Sequence, residues 1–494
     1  MQSSLHSISY FFHLPFHIQW RTALVQIPRY VPLSILHITS PKGPQPFVIA
    51  LPSRKNDVIP IYVFVPPAPV QLEDQDGQKV VENGEWKVPV VLDFHGGGFI
   101  MGSPLEQAPY AAMVSRELGA VVISVSYRIG PFSQFPAAIH DGEDVLSAIL
   151  DQGGQSKAGR VLRTEIQRYL TMRKAEVKKK KKAKNEQSTV SHLEGIDRIT
   201  LDPTRLAISG FSSGGNIALN MIMSAPPCAQ LIATSPTCDS SRLRGMSTPD
   251  TFSPLLPPRA HTQLDDPHQD WPTVLPSPEE QPRMIPLLLF YPSLDARALP
   301  HERPMKPLPN ALKGDDKKPH KQRRPGLFSI MGPTYLPKKL RAHPRASPGL
   351  VHPDNLQKNA AIFLVLPEKD TLAVQSDVWV DKMNTSGWNG PARFGDGREN
   401  DWNGHSGGGD ASMDRSRENG GLEIWHAPMC RHGWTQFPEP VLGKHEKKER
   451  LLVFARMLDF VKDNWNRKLE IDNPGSPSQE TRPLEKPARF SGLN

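Results

Sequence analysis

Six short apolar runs constrain the fold of this chain more than any other feature of its sequence. They are rich in β-branched, leucine or aromatic residues and cover residues 88–94, 120–127, 205–209, 286–291, 361–366 and 422–425. Continuous apolar runs of this length are typical of strands buried on both faces of a parallel sheet. Helix-like segments at 136–150 and 451–465 lie among them. The alternation predicts an α/β fold with a mostly parallel sheet flanked by helices, with a mixed α+β fold as the alternative.

Long irregular segments interrupt this alternation. The chain has 51 prolines among 494 residues, about twice the average usage of roughly 5%, and such an excess belongs in loops and linkers. Four segments lack the apolar periodicity of a core, so we interpret them as insertions. They lie near 155–196, 226–283, 298–345 and 386–420. The predicted organisation is one domain over 43–470, interrupted by these insertions, and a polar tail over 471–494.

The charge of the chain and its cysteine content limit the binding partners and the cellular compartment that we expect for this protein. The net charge is +8, but the basic residues cluster locally, as in the unbroken run from Lys178 to Lys182. Charge runs are usually solvated, so no nucleic-acid partner is expected. Three cysteines, Cys228, Cys238 and Cys430, cannot build a disulfide framework and match no zinc signature. With no apolar stretch long enough for a membrane span and a poor signal peptide, we expect a cytoplasmic protein.

The strongest local signal is the sequence Gly-Phe-Ser-Ser-Gly-Gly over residues 210–215, directly after the strand at 205–209. Strand, tight turn and helix is the context of a nucleophile elbow, whose sharp turn leaves little room two residues either side of the nucleophile. Around Ser212 both of those positions are glycine, whereas around Ser213 one of them is Phe211. Ser212 is therefore the predicted nucleophile. An ordinary glycine-serine turn is the alternative.

A second glycine motif, His-Gly-Gly-Gly-Phe over residues 95–99, follows the first apolar run. Successive glycines let backbone N–H groups approach a ligand closely, as acyl transfer requires around a developing oxyanion. We predict that the N–H groups of Gly96, Gly97 and Ser213 form an oxyanion hole, to which Gly98 could contribute. A flexible loop or a phosphate cradle is the alternative, but no phosphate-binding glycine pattern is present in the right context.

Together these motifs resemble the hormone-sensitive-lipase-like branch of the α/β-hydrolases, which includes bacterial esterases and arylacetamide deacetylase. The family's HGGG loop matches 95–98, its tyrosine-arginine stretch is similar to 127–131 followed by 135–138 and Asp141, and its Asp-Pro-x-Arg lead-in matches 202–205. The elbow departs from the family's usual Gly-Asp-Ser-Ala-Gly-Gly at Phe211 and Ser213. The resemblance covers about half of the chain, between Phe47 and Trp465 with the insertions removed.

The resemblance also implies an acid, which follows the nucleophile in chain order. The loop at 367–372 looks like the family's acid-bearing loop, and Asp370 is the matching residue. A carboxylate there would hold an imidazole in the useful tautomer. Asp377 and Asp381 fall in the following helix-like stretch, and Glu368 precedes the motif position. A solvated loop carboxylate is the alternative role for Asp370.

The resemblance also implies a base, because His-Gly-Trp over residues 432–434 resembles the family's His-Gly-Phe. His432 would take the proton from Ser212 and later give it to the leaving alcohol. His426 lies at the end of a predicted strand, and His95 belongs to the glycine loop. Neither position suits the base. Cys430 is adjacent in sequence but is interpreted as incidental, with a cysteine hydrolase as the remote alternative.

The resemblance implies a serine carboxylic-ester hydrolase of the lipase and carboxylesterase type, acting on an apolar or natural-product ester through an acyl-enzyme, with no metal and no organic cofactor. The alternatives are an amidase or deacetylase of a small natural product, or a catalytically silent hydrolase-like binding protein. Residues 1–42 would form a cap, with Phe11, Phe12, Phe16 and Trp20 as an apolar lid. The expected partner is a small-molecule ester; a peripheral lipid contact through the cap and the oligomeric state are left open.

Overall fold

A ten-stranded sheet organises the computed structural model, which describes residues 11–41, 43–54, 57–70, 81–184, 193, 195–225, 270–306, 324–397 and 419–469. The strands are β1 (Phe47–Pro52), β2 (Val58–Phe64), β3 (Val81–Glu82), β4 (Glu85–Phe94), β5 (Val121–Val125), β6 (Arg198–Phe211), β7 (Ile285–Phe290), β8 (Ala360–Lys369), β9 (Ala392–Phe394) and β10 (Leu422–Arg431). Their order is β1-β2-β5-β4-β6-β7-β8-β10-β9, with β3 beside β4. All neighbours from β5 to β9 are parallel, whereas β1, β2 and β3 pair antiparallel.

Helices cover both faces of this sheet. They are α1 (Phe16–Gln26), α2 (Leu36–Thr39), α3 (Ala108–Leu118), α4 (Ala137–Leu150), α5 (Lys157–Lys184), α6 (Ser213–Met221), α7 (Leu327–Tyr335), α8 (Ala373–Thr385) and α9 (Lys444–Trp465). α4, α5, α6 and α8 contribute to the core on one face, and α3 and α9 to the core on the other. In β4, Val90 and Leu92 pack on the first face and Val91 on the second. Burial on both faces explains the continuous apolar runs.

The structure confirms the predicted α/β fold and its mostly parallel sheet. Each of the six apolar runs forms a strand, namely β4, β5, β6, β7, β8 and β10. The sequence interpretation missed β1 and β2. In β2, Ile59, Ile61 and Val63 are buried, whereas Val58 and Pro60 are exposed. The sequence of this strand therefore alternates between buried and exposed positions and contains a proline, so it shows no continuous apolar run.

The segment predicted as an insertion near 155–196 contains α5, whose first half packs on the core. Leu162, Ile166 and Leu170 are all buried there. They recur every fourth residue, which is the spacing of one helical face, and the charged residues between them obscured the pattern. Farther along, Lys178 and Lys179 are exposed. The insertion is therefore attached to the core through the first part of its helix.

The segment near 298–345 also contributes to the core, through Met331 and Tyr335 of α7. Most of the segments at 226–283 and 386–420 lies outside the described residues, as do the tail at 471–494, Cys228 and Cys238. The division of the chain into cap, domain and tail stays a prediction.

Among the helices that the structure describes, none combines the length and the apolar character needed to cross a bilayer.

Candidate active site

The turn between β6 and α6 holds Ser212 in a strained backbone conformation. Its φ is +54° and its ψ is −113°, a region that side chains other than glycine rarely adopt. Two backbone hydrogen bonds fix it there. The Ser212 N–H donates to the Phe290 carbonyl (2.9 Å), and the Ser212 carbonyl accepts from the Ser293 N–H (3.0 Å). A strained strand-to-helix turn of this kind is the conformation that a nucleophile elbow requires.

Glycines flank this turn because backbone passes too close for any side chain. A Cβ on Gly210 would lie 2.2 Å from the Gly214 carbonyl oxygen, and a Cβ on Gly214 would lie 2.1 Å from the Phe94 carbonyl oxygen. Ser213 is buried, and its hydroxyl lies 3.3 Å from the Tyr127 hydroxyl. Of the two adjacent serines, the structure therefore places Ser212 at the turn, as the flanking-glycine argument predicted.

The structure brings Asp370 and His432 to Ser212 although 62 positions separate the two residues in sequence. His432 Nδ1 lies 2.7 Å from Asp370 Oδ2, and His432 Nε2 lies 2.9 Å from Ser212 Oγ. β6, β8 and β10 run parallel in the sheet, and each of these residues directly follows one of them. Their carboxyl ends meet at one edge, so distance in sequence does not separate the side chains.

The hydrogen bonds around this group define its proton arrangement. Asp370 is fully buried; its Oδ1 accepts from the Leu372 N–H (2.9 Å), which leaves Oδ2 for His432. A carboxylate that accepts from Nδ1–H leaves Nε2 of the neutral ring as an acceptor, to which the Ser212 hydroxyl donates. The edge of the Tyr291 ring packs on the imidazole, with ring centroids 4.9 Å apart. The arrangement can move a proton from Ser212 Oγ to His432.

The other acids near the motif have contacts elsewhere. The Glu368 carboxylate accepts from the Met429 N–H (3.1 Å), and Asp377 pairs with Lys306 (2.8 Å). Glu368 therefore ties the end of β8 to β10, and Asp377 ties α8 to the segment near 298–345. The hydrogen bond to the base is made by Asp370.

The surroundings of the other candidate base and of the candidate thiol nucleophile do not suit these roles. His426 stacks on Phe394, with ring centroids 4.6 Å apart. The Cys430 side chain is fully buried, and burial raises the pKa of its thiol far above the usual range. A thiol held neutral in this way is not an activated nucleophile.

The glycine loop after β4 carries N–H groups beside Ser212. Gly97 has a φ of +119°, and a Cβ there would lie 2.1 Å from the Met101 carbonyl oxygen, so the loop requires glycine at this position. Within the described part of the chain, the backbone N–H groups of Gly97, Gly98 and Ser213 donate to no backbone acceptor. A Cβ on Gly96 would meet the Gln436 side chain at 3.0 Å. The loop is thus enclosed by residues from distant parts of the chain.

Two contacts hold this loop from behind. The His95 ring stacks on the Tyr127 ring at 4.2 Å, and the Tyr127 hydroxyl donates to the His95 carbonyl (2.7 Å). Burial lowers the pKa of His95 to about 3, so its ring is neutral at ordinary pH. From the N-terminal segment, Arg29 donates to the carbonyls of Gly102 (3.2 Å) and Tyr127 (2.6 Å). The segment predicted as a cap therefore contacts the backbone that supports the glycine loop.

Sequence reasoning missed several residues that shape this site. Phe328 of α7 lies over the loop, where a Cβ on Gly98 would come within 2.7 Å of its ring. Arg29 and Gln436 are the others, and none of the three stands in a motif. Phe328 belongs to a proline-rich segment that offered no periodic signal, so only the tertiary structure identifies it. Of the residues predicted to form an apolar lid, Phe12, Phe16 and Trp20 are exposed to solvent, and the lid stays a prediction.

One family model and several known proteins are similar to this chain over part of its length. A family model described as the alpha/beta hydrolase fold matches residues 91–263. The Probable carboxylesterase 16 of Arabidopsis thaliana is 31% identical over 140 residues, 27% of this chain and 29% of that protein. The versiconal hemiacetal acetate esterase of Aspergillus parasiticus is 38% identical over 60 residues, 12% of this chain and 19% of that protein. The chain thus spans less than a third of either relative.

Among solved structures, the esterase LipW from Mycobacterium marinum superimposes with a TM-score of 0.46 at 16% identity, covering 91% of this chain and 90% of that one. The family match includes the glycine loop at 95–98 and the elbow at 210–215 but ends before Asp370 and His432. Those two residues are brought to the site by the same parallel sheet. The sheet, the motifs and the family match together show an α/β-hydrolase fold, and the motifs resemble those of its hormone-sensitive-lipase-like branch.

Proposed function

We propose that the protein is a serine carboxylic-ester hydrolase that forms an acyl-enzyme on Ser212. One observation carries the proposal: Asp370, His432 and Ser212 form a continuous hydrogen-bonded chain of 2.7 and 2.9 Å at the strained turn. A base within hydrogen-bond distance of a hydroxyl, itself oriented by a buried carboxylate, is the arrangement that activates a serine.

Acylation follows from this geometry. Ser212 Oγ attacks the ester carbonyl carbon as His432 Nε2 takes its proton, and the Asp370 carboxylate stabilises the imidazolium. The carbonyl oxygen becomes an oxyanion that accepts from the loop N–H groups and from the Ser213 N–H. Each such donor is worth roughly 3–4 kcal/mol of barrier where one has been removed by mutation. The intermediate collapses when the C–O bond breaks and His432 gives its proton to the leaving alcohol.

Deacylation repeats these steps with water. His432 Nε2 takes a proton from the attacking water, whose oxygen bonds to the acyl carbon and forms a second oxyanion in the same site. The bond to Ser212 Oγ then breaks, and His432 returns the proton to that oxygen. The carboxylic acid leaves, and the neutral histidine and the free hydroxyl are restored.

The side chains over the loop favour an apolar or natural-product ester as the substrate. Phe99 stacks on Tyr335 with ring centroids 4.6 Å apart, beside Phe328. Such surfaces suit an acyl or alcohol group without charge. Both relatives are named as esterases, which supports an ester rather than an amide as the substrate. An amidase or deacetylase would use the same side chains and differ in the leaving group.

We also propose a cytoplasmic location. Cys430, the cysteine within the described residues, is a free thiol in a buried position. The other two cysteines could form at most one disulfide, which is not the framework of a secreted domain.

The test is hydrolysis of p-nitrophenyl esters with acyl chains of increasing length, beside the matching anilides. Ser212→Ala should lower kcat by about 10⁴-fold or more, because it removes the attacking oxygen. Ser213→Ala is the matched control and should retain activity within about tenfold, because its backbone N–H remains. The opposite order of loss would contradict the assignment of Ser212, and faster turnover of the anilides would indicate an amidase.

A further inference from the structure

Helix α1 is apolar on two opposite faces. One face, with Ile18, Thr22 and Val25, is buried against the core. The other face carries large apolar side chains that are exposed to solvent. Together with neighbours outside the helix they form the N-terminal apolar surface: Phe12, Phe16, Trp20, Leu24, Ile27 and Tyr30. An amphipathic helix needs only one apolar face to pack on its own core, so this second, exposed apolar face points to a partner.

The exposed apolar side chains are concentrated in this region. Within the described part of the chain, eight of the seventeen exposed large hydrophobic residues lie between Phe12 and Ile38. Phe16 is 79% exposed and Tyr30 is 83% exposed. Scattered single residues of this kind need no explanation, but a contiguous group marks an interaction site.

Charge identifies the class of partner. No aspartate or glutamate occurs among the first 56 residues of the sequence, whereas Arg21 lies beside the apolar face and His13 and His17 are exposed. The Arg21 guanidinium lies over the Trp20 ring, 4.3 Å from its centroid. Aromatic side chains with adjacent arginine and no acid are the composition of helices that lie in the interface of an anionic bilayer.

A second copy of the chain fits this surface less well. In a twofold dimer the same patch would meet itself. Arg21 would then approach its own counterpart, with no carboxylate in the first 56 residues to separate the charges. An anionic lipid headgroup supplies the missing negative charge.

We propose that the N-terminal apolar surface binds an anionic lipid bilayer and that the enzyme takes its ester from that bilayer. The second part rests on the proposed hydrolase function. α1 packs against α7, and α7 carries Phe328, which lies over Gly98 of the glycine loop. The bound surface is therefore two packed helices away from the site, so a membrane-dissolved ester could enter without crossing bulk water.

The experiment is co-sedimentation of the full chain with phosphatidylcholine vesicles, with and without phosphatidylserine. The wild type should bind the anionic vesicles more tightly, and salt should weaken that difference. The double variant Phe16→Ser/Trp20→Ser should lose about a hundredfold in partitioning, because two large apolar side chains no longer enter the interface. Leu451→Ser is the matched control, since Leu451 is 71% exposed on α9.

Two further measurements separate this proposal from the proposed function. Ser212→Ala should bind vesicles as the wild type does, since it leaves the surface intact. Phe16→Ser/Trp20→Ser should hydrolyse a soluble short ester normally but should turn over a vesicle-bound long-chain ester more slowly. Absence of vesicle binding, or equal binding by the double variant, would overturn the proposal. A dimer that dissociates in the double variant, without vesicle binding, would assign the surface to a second copy instead.

Discussion

The two halves of the site are held together in different ways. On the nucleophile side, the turn at Ser212 and the glycine loop are packed backbone against backbone, and an added Cβ at Gly210 or Gly214 would overlap a carbonyl oxygen. On the acid–base side, side chains from two loops meet through hydrogen bonds, and the His432 side chain remains 39% exposed. The nucleophile side therefore has no room for an added side-chain atom, whereas side chains on the acid–base side can be replaced without changing the backbone.

Because of this difference, we expect substitutions on the two sides to affect protein stability and catalytic activity differently. Substitutions on the acid–base side should remove activity and leave the fold. Substitutions of the packed glycines should remove the fold together with the activity, because close-packed backbone cannot relax around an extra atom.

The largest effect is expected on the acid–base side. His432→Ala should reduce kcat by about 10⁴-fold or more, because Ser212 loses its proton acceptor. Adding Asp370→Asn to this variant should change kcat little further, since members of one catalytic unit are not additive. Steady-state hydrolysis of a short ester measures both, with circular dichroism as the control for folding. If the two losses multiply, Asp370 acts independently, and the hydrogen-bonded chain is not a unit.

A second prediction tests the nucleophile side with two glycines. Gly210→Ala places a Cβ 2.2 Å from the Gly214 carbonyl oxygen, whereas Gly332→Ala in α7 meets nothing within 4 Å. We expect Gly210→Ala to lower the free energy of unfolding by about 3 kcal/mol or more, or to prevent soluble expression. Gly332→Ala should be neutral or stabilise by up to about 1 kcal/mol. Thermal unfolding measures both, and equal midpoints for the two variants would contradict the packing argument.

The smallest effect concerns Asp93, which joins the strands beneath the nucleophile side. It is buried and accepts from the hydroxyls of Ser209 (2.7 Å) and Ser124 (2.9 Å). Burial raises the pKa of Asp93 from 3.8 to about 6. The folded protein therefore binds this proton more tightly than the unfolded chain, so the stability contributed by Asp93 is lost as pH rises between these two values.

Asp93→Asn should remove this part of the pH dependence. The thermal midpoints of the wild type and the variant are measured across that pH window. As pH falls, the midpoint of the wild type should rise relative to that of the variant, so that the two midpoints converge or cross. A constant difference between them would show that Asp93 keeps its ordinary pKa in the fold.

The amino-acid sequence predicted the parallel part of the sheet and singled out Ser212 as the candidate nucleophile. The six apolar runs, the glycines around Ser212 and the loop at 95–98 are local patterns, and local patterns report burial on two faces and steric room at a turn. Asp370 and His432 were found only by resemblance to a family, because a single acid or histidine in a loop has no local signature. Their meeting depends on the parallel order of β6, β8 and β10.

The side chains that support and enclose the site come from distant segments, and only the folded chain shows which ones they are. Arg29 reaches the carbonyls below the glycine loop, and Phe328 lies over Gly98 from a segment that had been interpreted as an insertion. The same holds for Phe16, predicted to belong to a lid and exposed on the outer face of α1. Apolar periodicity shows that a face is apolar, but which of two apolar faces meets the core depends on packing between segments far apart in the chain.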